Sequence, residues 1–335
     1  MTLSPSQKSF GVIGGGAFGT ALAETLCRAG RDVTLWARSP VIVDAINRQH
    51  ANPAYLPGVT LDARLAATTD LAEVAAADII LLVTPAQATR EIACGLAGHL
   101  KADTPVVLCA KGLEQATGKN LTTILAEGLP QARAAVLSGP SFAADIVLGL
   151  PTALTIACDD DRLGQQLATA IGYRNLRLYW SADVTGVQLG GAVKNVLAIA
   201  AGIVDGKQLG ASAHAALVTR GFAELRRFGV AMGARAETLM GLSGLGDLIL
   251  TCGSPQSRNM SLGRALGQGQ TLAHVLASRR SVAEGVWTAG AVAAIAHDMG
   301  LALPICDAVA QIVAGRQSVD DAIGALLARP FKAED

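Results

Sequence analysis

The chain has 335 residues, 51% of them hydrophobic and only 16% charged, and its 27 basic and 27 acidic side chains leave no formal net charge. That is enough apolar material for two domains with large cores, and it excludes a basic stripe for nucleic acid or an acidic tail. The six cysteines are scattered with no Cys-x-x-Cys, so they read as small buried hydrophobes in a reducing, cytoplasmic setting, and no metal site is expected.

Met1–Phe10 has no positive n-region leading into a long apolar run, so no signal peptide is expected. Ser9–Ile13 reads as a short strand running into Gly14-Gly15-Gly16-Ala17-Phe18-Gly19. Thr20–Ala29 then reads as a helix ending at Gly30, and Asp32–Trp36 as the next strand. Gly14, Gly16 and Gly19 have the spacing G-x-G-x-x-G between a strand and a helix. There the glycines allow a tight turn, close approach of a pyrophosphate and close helix–strand packing, and the helix N-terminus holds the phosphates. The second strand ends in Leu35-Trp36-Ala37-Arg38 with no Asp or Glu to take ribose hydroxyls. Arg38 either binds a 2′-phosphate or is an ordinary solvated arginine.

Ser39-Pro40 caps a helix over Val41–Gln49. Arg64–Thr68 reads as a weak strand and Asp70–Ala76 as a short helix. Asp78–Val83 is continuously apolar after its first residue, as a parallel strand buried on both faces must be. Ala88–Leu100 is helical, and Pro105–Ala110 is a strand ending in Lys111-Gly112 at the edge where ligands bind in open α/β sheets. Ala134–Leu137 is a strand followed by the small-residue loop Ser138-Gly139-Pro140-Ser141-Phe142-Ala143. Thr152–Ala157 and Leu176–Tyr179 read as two last strands around a helix at Asp161–Ile171.

After Asp183 the alternation stops, which places a domain boundary there: residues 1–183 against 184–335. Helices are expected over Thr185–Val204, His214–Phe228, Ala236–Met240, Asp247–Cys252, Ser257–Leu266, Thr271–Ala277, Thr288–Met299, Ala302–Val313 and Ser318–Leu327. The first is apolar except for Lys194 and Asn195, too interrupted for a membrane span. An ammonium amid such aliphatic surface snorkels, sits in a structural ion pair, or faces a pocket as an acid/base. Gly241–Asp247 reads as a flexible loop entering a helix, with Asp247 a cap or a site carboxylate. Ser257-Arg258-Asn259 offers a hydroxyl, a guanidinium fork and an amide, a set suited to a phosphate. The five histidines form no spaced group.

Taken together, Gly14–Gly19, Lys111-Gly112, Ser138–Ala143, Gly191-Ala192-Val193-Lys194-Asn195, Leu245-Gly246-Asp247-Leu248 and Ser257-Arg258-Asn259 resemble the bacterial NAD(P)-dependent glycerol-3-phosphate dehydrogenases, in order and to about Leu327. The resemblance implies an α/β Rossmann-type amino-terminal domain followed by an all-α carboxy-terminal domain, the 6-phosphogluconate-dehydrogenase-like arrangement. It implies NAD(P)H-dependent, reversible reduction of dihydroxyacetone phosphate to sn-glycerol 3-phosphate for phospholipid synthesis. Lys194 is then the catalytic acid/base. Lys111, Gly139, Ser141, Lys194, Asp247, Ser257, Arg258 and Asn259 face the substrate. Gly14, Gly16, Ala17, Phe18, Gly19, Arg38, Lys111, Ala143, Arg258, Val282 and Glu284 contact NADP(H) or NAD(H). Two departures stand out: Ala17-Phe18 replaces a common Ser-Trp or Asn-Trp, and His214 stands where many members have lysine. The competing readings are a sister dehydrogenase acting on a β-hydroxyacid or 6-phosphogluconate, which spaces its lysine and asparagine a helical turn apart, and a non-catalytic NAD(P)H sensor. A homodimer is left open.

Overall fold

The computed structural model describes residues 8–278, 283–331 and 333; residues 1–7 and the proposed contact at Val282 lie outside them. The first half contains β1 (Ser9–Ile13), α1 (Ala17–Arg28), β2 (Asp32–Trp36), α2 (Pro40–Gln49), β3 (Ala51–Asn52), β4 (Leu56–Thr60), β5 (Ala66–Thr68), α3 (Leu71–Ala75) and β6 (Ile79–Leu82). It continues through α4 (Thr89–Leu96), β7 (Pro105–Leu108), α5 (Leu121–Gly128), β8 (Arg133–Ser138), α6 (Ala143–Val147), β9 (Thr152–Ala157), α7 (Asp161–Ile171) and β10 (Leu176–Ser181).

Eight of these strands form one sheet in the order β10-β9-β8-β7-β6-β1-β2-β5. Every neighbouring pair is parallel except β8 and β9, where the short α6 returns the chain in the opposite sense. β6 shows why the apolar run had to be continuous. Ile79 and Leu81 enter the core on one face of the sheet, and Ile80 and Leu82 enter the core on the other. The chain leaves β1 toward β2 on one side and returns through β6 on the other. That reversal opens a crevice at the carboxyl ends of β1 and β6.

Some elements differ from expectation. α1 begins at Ala17, three residues early, so Gly19 lies inside its first turn. The β3–β4 hairpin, α5 and α6 carry no strong signal of their own. Gly241–Asp247 is not a loose loop: Leu242–Gly246 forms a π-helical turn with Ser243 and Gly244 buried.

The second half is all helical: α8 (Val184–Gly206), α9 (Ala211–Ala231), α10 (Ala236–Met240), α11 (Asp247–Gly253), α12 (Arg258–Gly267), α13 (Leu272–Ala277), α14 (Gly285–Asp298), α15 (Pro304–Val313) and α16 (Val319–Leu327). Asp183 caps α8 by accepting the Gly186 N–H at 2.8 Å. α8 is apolar all round because neighbours surround it: α9, α11, α12, α14 and α15 pack on it, and its start reaches β8 and β9. Among the described residues it is the one helix long and apolar enough to cross a membrane, yet its most apolar window is wholly buried in the fold.

The tightest crossing is α8 on α12. Gly202 and Gly206 of α8 face Gly263 and Gly267 of α12, and a Cβ on any of the four would meet backbone of the opposite helix. Gly→Ala in a helix interior ordinarily stabilises by roughly 0.5–1 kcal/mol. Here backbone cannot move aside as a side chain would, and overpacking costs about 1–3 kcal/mol. Gly263→Ala should therefore lower the melting temperature, whereas Gly290→Ala in α14, where a Cβ meets nothing within 4 Å, should leave it unchanged or raise it. Matched thermal scans check this, and equal melting temperatures would contradict it.

Candidate active site

The glycine turn sits at the carboxyl end of β1. Gly14 has φ +135°, a conformation open to glycine, and its N–H donates to the Trp36 carbonyl at 2.9 Å. A Cβ on Gly19 would collide with the Gly14 carbonyl, so α1 can start this close to the strand only with glycine there. Beside Gly16 there is open space, and no side chain caps the helix. Free first-turn N–H groups facing a space without a Cβ fit the pyrophosphate of a dinucleotide. Ala17 and Phe18 pack against the sheet core, as does Ala143 at the start of α6. Arg38 is exposed, two residues beyond β2.

The centre of the site is one carboxylate between two lysines. Lys194 Nζ, on α8, donates to Asp247 Oδ1 at 2.6 Å and to Thr251 Oγ1 at 2.7 Å. Lys111 Nζ, just past β7, donates to Asp247 Oδ2 at 2.7 Å and to the Gly139 carbonyl at 2.8 Å. Asp247 is 1% exposed and Lys194 6%. Burial pulls the Lys194 ammonium down to about 8; the Lys111 charge adds to that fall, and the Asp247 carboxylate opposes it. Burial pushes the adjacent Cys252 thiol up to about 12, so it stays neutral.

A second chain of bonds fixes the helices around this centre. Asn195 Nδ2 donates to the Lys111 carbonyl at 2.8 Å, and Asn195 Oδ1 accepts from Asn259 Nδ2 at 2.9 Å. Asn259 Oδ1 in turn accepts the Gly285 N–H at 2.9 Å. Glu284 Oε1 accepts the Ala86 N–H at 3.0 Å, reaching from α14 to the loop after β6. Burial pushes the Glu284 carboxyl up, opposed by the Ala86 bond and the Arg258 charge.

Lys111, Gly139, Lys194 and Asp247 are thus in direct contact, and Ser141 joins through its Oγ on the Gly139 carbonyl at 3.3 Å. Ser257 caps α12 by accepting the Met260 N–H at 3.2 Å, and Arg258 is an exposed first residue of that helix. Thr251 was missed by the sequence reading, although it stands four residues after Asp247 on one helix face, a readable spacing. His214 lines a cavity with Asp205 and Arg264 at the far end of α8, where Asp205 lies about 16 Å along the helix from Lys194.

Known proteins match this arrangement along its length. Two family models, described as the N-terminus and the C-terminus of NAD-dependent glycerol-3-phosphate dehydrogenase, match residues 9–164 and 183–324. "Glycerol-3-phosphate dehydrogenase [NAD(P)+]" of Parvibaculum lavamentivorans is 58% identical over 334 residues, covering 100% of both chains. Its namesake from Caulobacter vibrioides is 57% identical, covering 97% of this chain and 98% of that one. The crystal structure of glycerol-3-phosphate dehydrogenase from Coxiella burnetii superposes with a TM-score of 0.92 at 36% identity, covering 97% of this chain and 100% of that one. With a glycine-turn sheet, a helical half and a relative this similar over its full length, the chain belongs to the NAD(P)-dependent glycerol-3-phosphate dehydrogenase family.

Proposed function

We propose that the protein reduces dihydroxyacetone phosphate to sn-glycerol 3-phosphate with NAD(P)H, reversibly, and so supplies glycerophospholipid synthesis. The observation that carries this reading is the buried Lys194–Asp247–Lys111 group at the ligand edge of the sheet. Two ammonium groups against one carboxylate leave net positive charge in a dry site. That suits an anionic substrate and a carbonyl oxygen gaining charge.

A nicotinamide cofactor bound along the glycine turn supplies the hydride for reduction and takes it back in oxidation. Gly14, Gly16, Ala17, Phe18, Gly19, Ala143, Arg258 and Glu284 would hold it, with Lys111 near the reacting end. Lys194, as ammonium, donates its proton to the C2 oxygen of the ketone; as neutral amine it takes the proton back from the alcohol. Thr251 and Asp247 aim Nζ, and Asn195 holds the Lys111 backbone beside it. Arg258 grips the substrate phosphate with the help of Ser257 and Asn259, while Gly139 and Ser141 shape the wall. The division of labour between cofactor and substrate falls near residue 183. A cytoplasmic location belongs to the same reading.

Lys194→Met should reduce turnover with dihydroxyacetone phosphate on the order of 10²–10⁴-fold, with NADPH binding retained. Because reduction uses the acid form, its kcat/KM should fall as pH rises through about 8; oxidation, using the base form, should rise through the same value. A flat profile between pH 6 and 10, or near-normal turnover in the variant, would remove Lys194 from the mechanism.

Arg38, with no carboxylate at the end of β2, favours use of NADP(H) alongside NAD(H). Arg38→Ala should cost roughly tenfold in kcat/KM with NADPH, the scale of one charge-assisted hydrogen bond, and little with NADH. An equal loss with both cofactors would show that the guanidinium does not read the 2′-phosphate.

A further inference from the structure

Two buried polar atoms at the head of α14 have no partner among the described residues: Oε2 of Glu284, the residue before the helix, and Thr288 Oγ1. Thr288 is 0% exposed and stands one helical turn after Glu284, its N–H bonded to the Glu284 carbonyl at 3.0 Å. Both orphans face one point. A Cβ built on Gly112 would lie 3.3 Å from Glu284 Oε2, 3.3 Å from Thr288 Oγ1 and 3.0 Å from Ala86 Cβ. Gly112 follows Lys111, and Ala86 is the residue whose N–H holds the other oxygen of the same carboxylate.

An orphaned buried polar atom costs about 1–3 kcal/mol, so two beside each other would be a double cost unless one water serves both. A carboxylate oxygen needs a donor, and a water held by a hydroxyl supplies one. The surrounding backbone is already committed. Gly285 N–H goes to Asn259, and a Cβ on Gly285 would press on the Asn195 carbonyl at 2.5 Å, so the start of α14 cannot slide to find another partner.

We propose that Thr288 is a positioning residue for the cofactor site: its hydroxyl holds one water that donates to Oε2 of Glu284, and so fixes the carboxylate that spans from the head of α14 to the Ala86 amide. This rests on the reading of Glu284 as a cofactor contact. Thr288 works through Glu284 and needs no contact of its own with cofactor or substrate. It acts by holding Glu284 in the one orientation that keeps both the Ala86 bond and the Gly112 backbone approach.

The test compares Thr288→Val, which keeps the shape and removes the donor, with Thr288→Ser, which restores it, and with Glu284→Ala, all in the full-length enzyme. Thr288→Val should raise the KM for NADPH about 3- to 10-fold, the scale of one lost hydrogen bond. The KM for dihydroxyacetone phosphate and the melting temperature should stay unchanged, and Thr288→Ser should return the NADPH KM to the parent value. If Glu284→Ala raises the NADPH KM and Thr288→Val does not, the inference falls and the reading of Glu284 stands. If neither raises it, both fall. An effect of Thr288→Val without one of Glu284→Ala overturns the route through the carboxylate. So does a lowered melting temperature with both KM values raised alike, which would mark a purely structural hydroxyl.

Discussion

The site depends on one carboxylate, Asp247, shared by ammonium groups that arrive from opposite halves of the fold. Lys111 comes from the sheet edge and Lys194 from the core of the helical half, and each is within 2.7 Å of an Asp247 oxygen. A buried ammonium without an anion is costly, and two facing each other more so. Sheet and helices must therefore stay at the separation that lets a single side chain serve both. The π-helical turn before Asp247 is held in place by backbone packing. A Cβ on Gly190 of α8 would stand 2.6 Å from the Ser243 carbonyl, and one on Gly244 would strike the Leu239 carbonyl. Backbone on backbone leaves the turn no slack, and a turn of that geometry is often found at functional positions.

Close glycine packing elsewhere serves the same end. The crossing of α8 and α12 brings Asn259 to Asn195, and Asn259 passes the connection to Gly285 at the head of α14. From there Glu284 returns to the sheet at Ala86. The result is a closed circuit: sheet edge, Lys111 carbonyl, Asn195, Asn259, α14 and sheet edge again. Polar groups so arranged fix where Lys194 Nζ points, through its carboxylate and hydroxyl partners.

What could be read from the chain follows from how local the cause is. The glycine turn, the doubly buried β6 and the apolar α8 each carry their signal within a few residues, and each stands where it was expected. That Lys194 needed a partner was equally readable, since an ammonium in an aliphatic helix has to be satisfied. Its partner was not, because 53 residues separate Lys194 from Asp247 and 136 separate Lys111 from it. The reversal of β9 against β8 has no local signature, and the Pro57-Gly58 pair masks β4 as a strand. The two Gly-x-x-x-Gly pairs of α8 and α12 were present all along; only their facing one another gives them meaning.

Asp247 holds up a proton affinity at Lys194 that burial lowers. The most direct measurement is the pH dependence of kcat/KM for ketone reduction in Asp247→Asn. Without the carboxylate, Lys194 keeps the burial and the Lys111 charge that lower its affinity and loses the charge that raises it. The midpoint should be displaced downward from about 8 by roughly one unit or more, on a lowered overall rate. A midpoint that stays where it was, or rises, would contradict that role for Asp247.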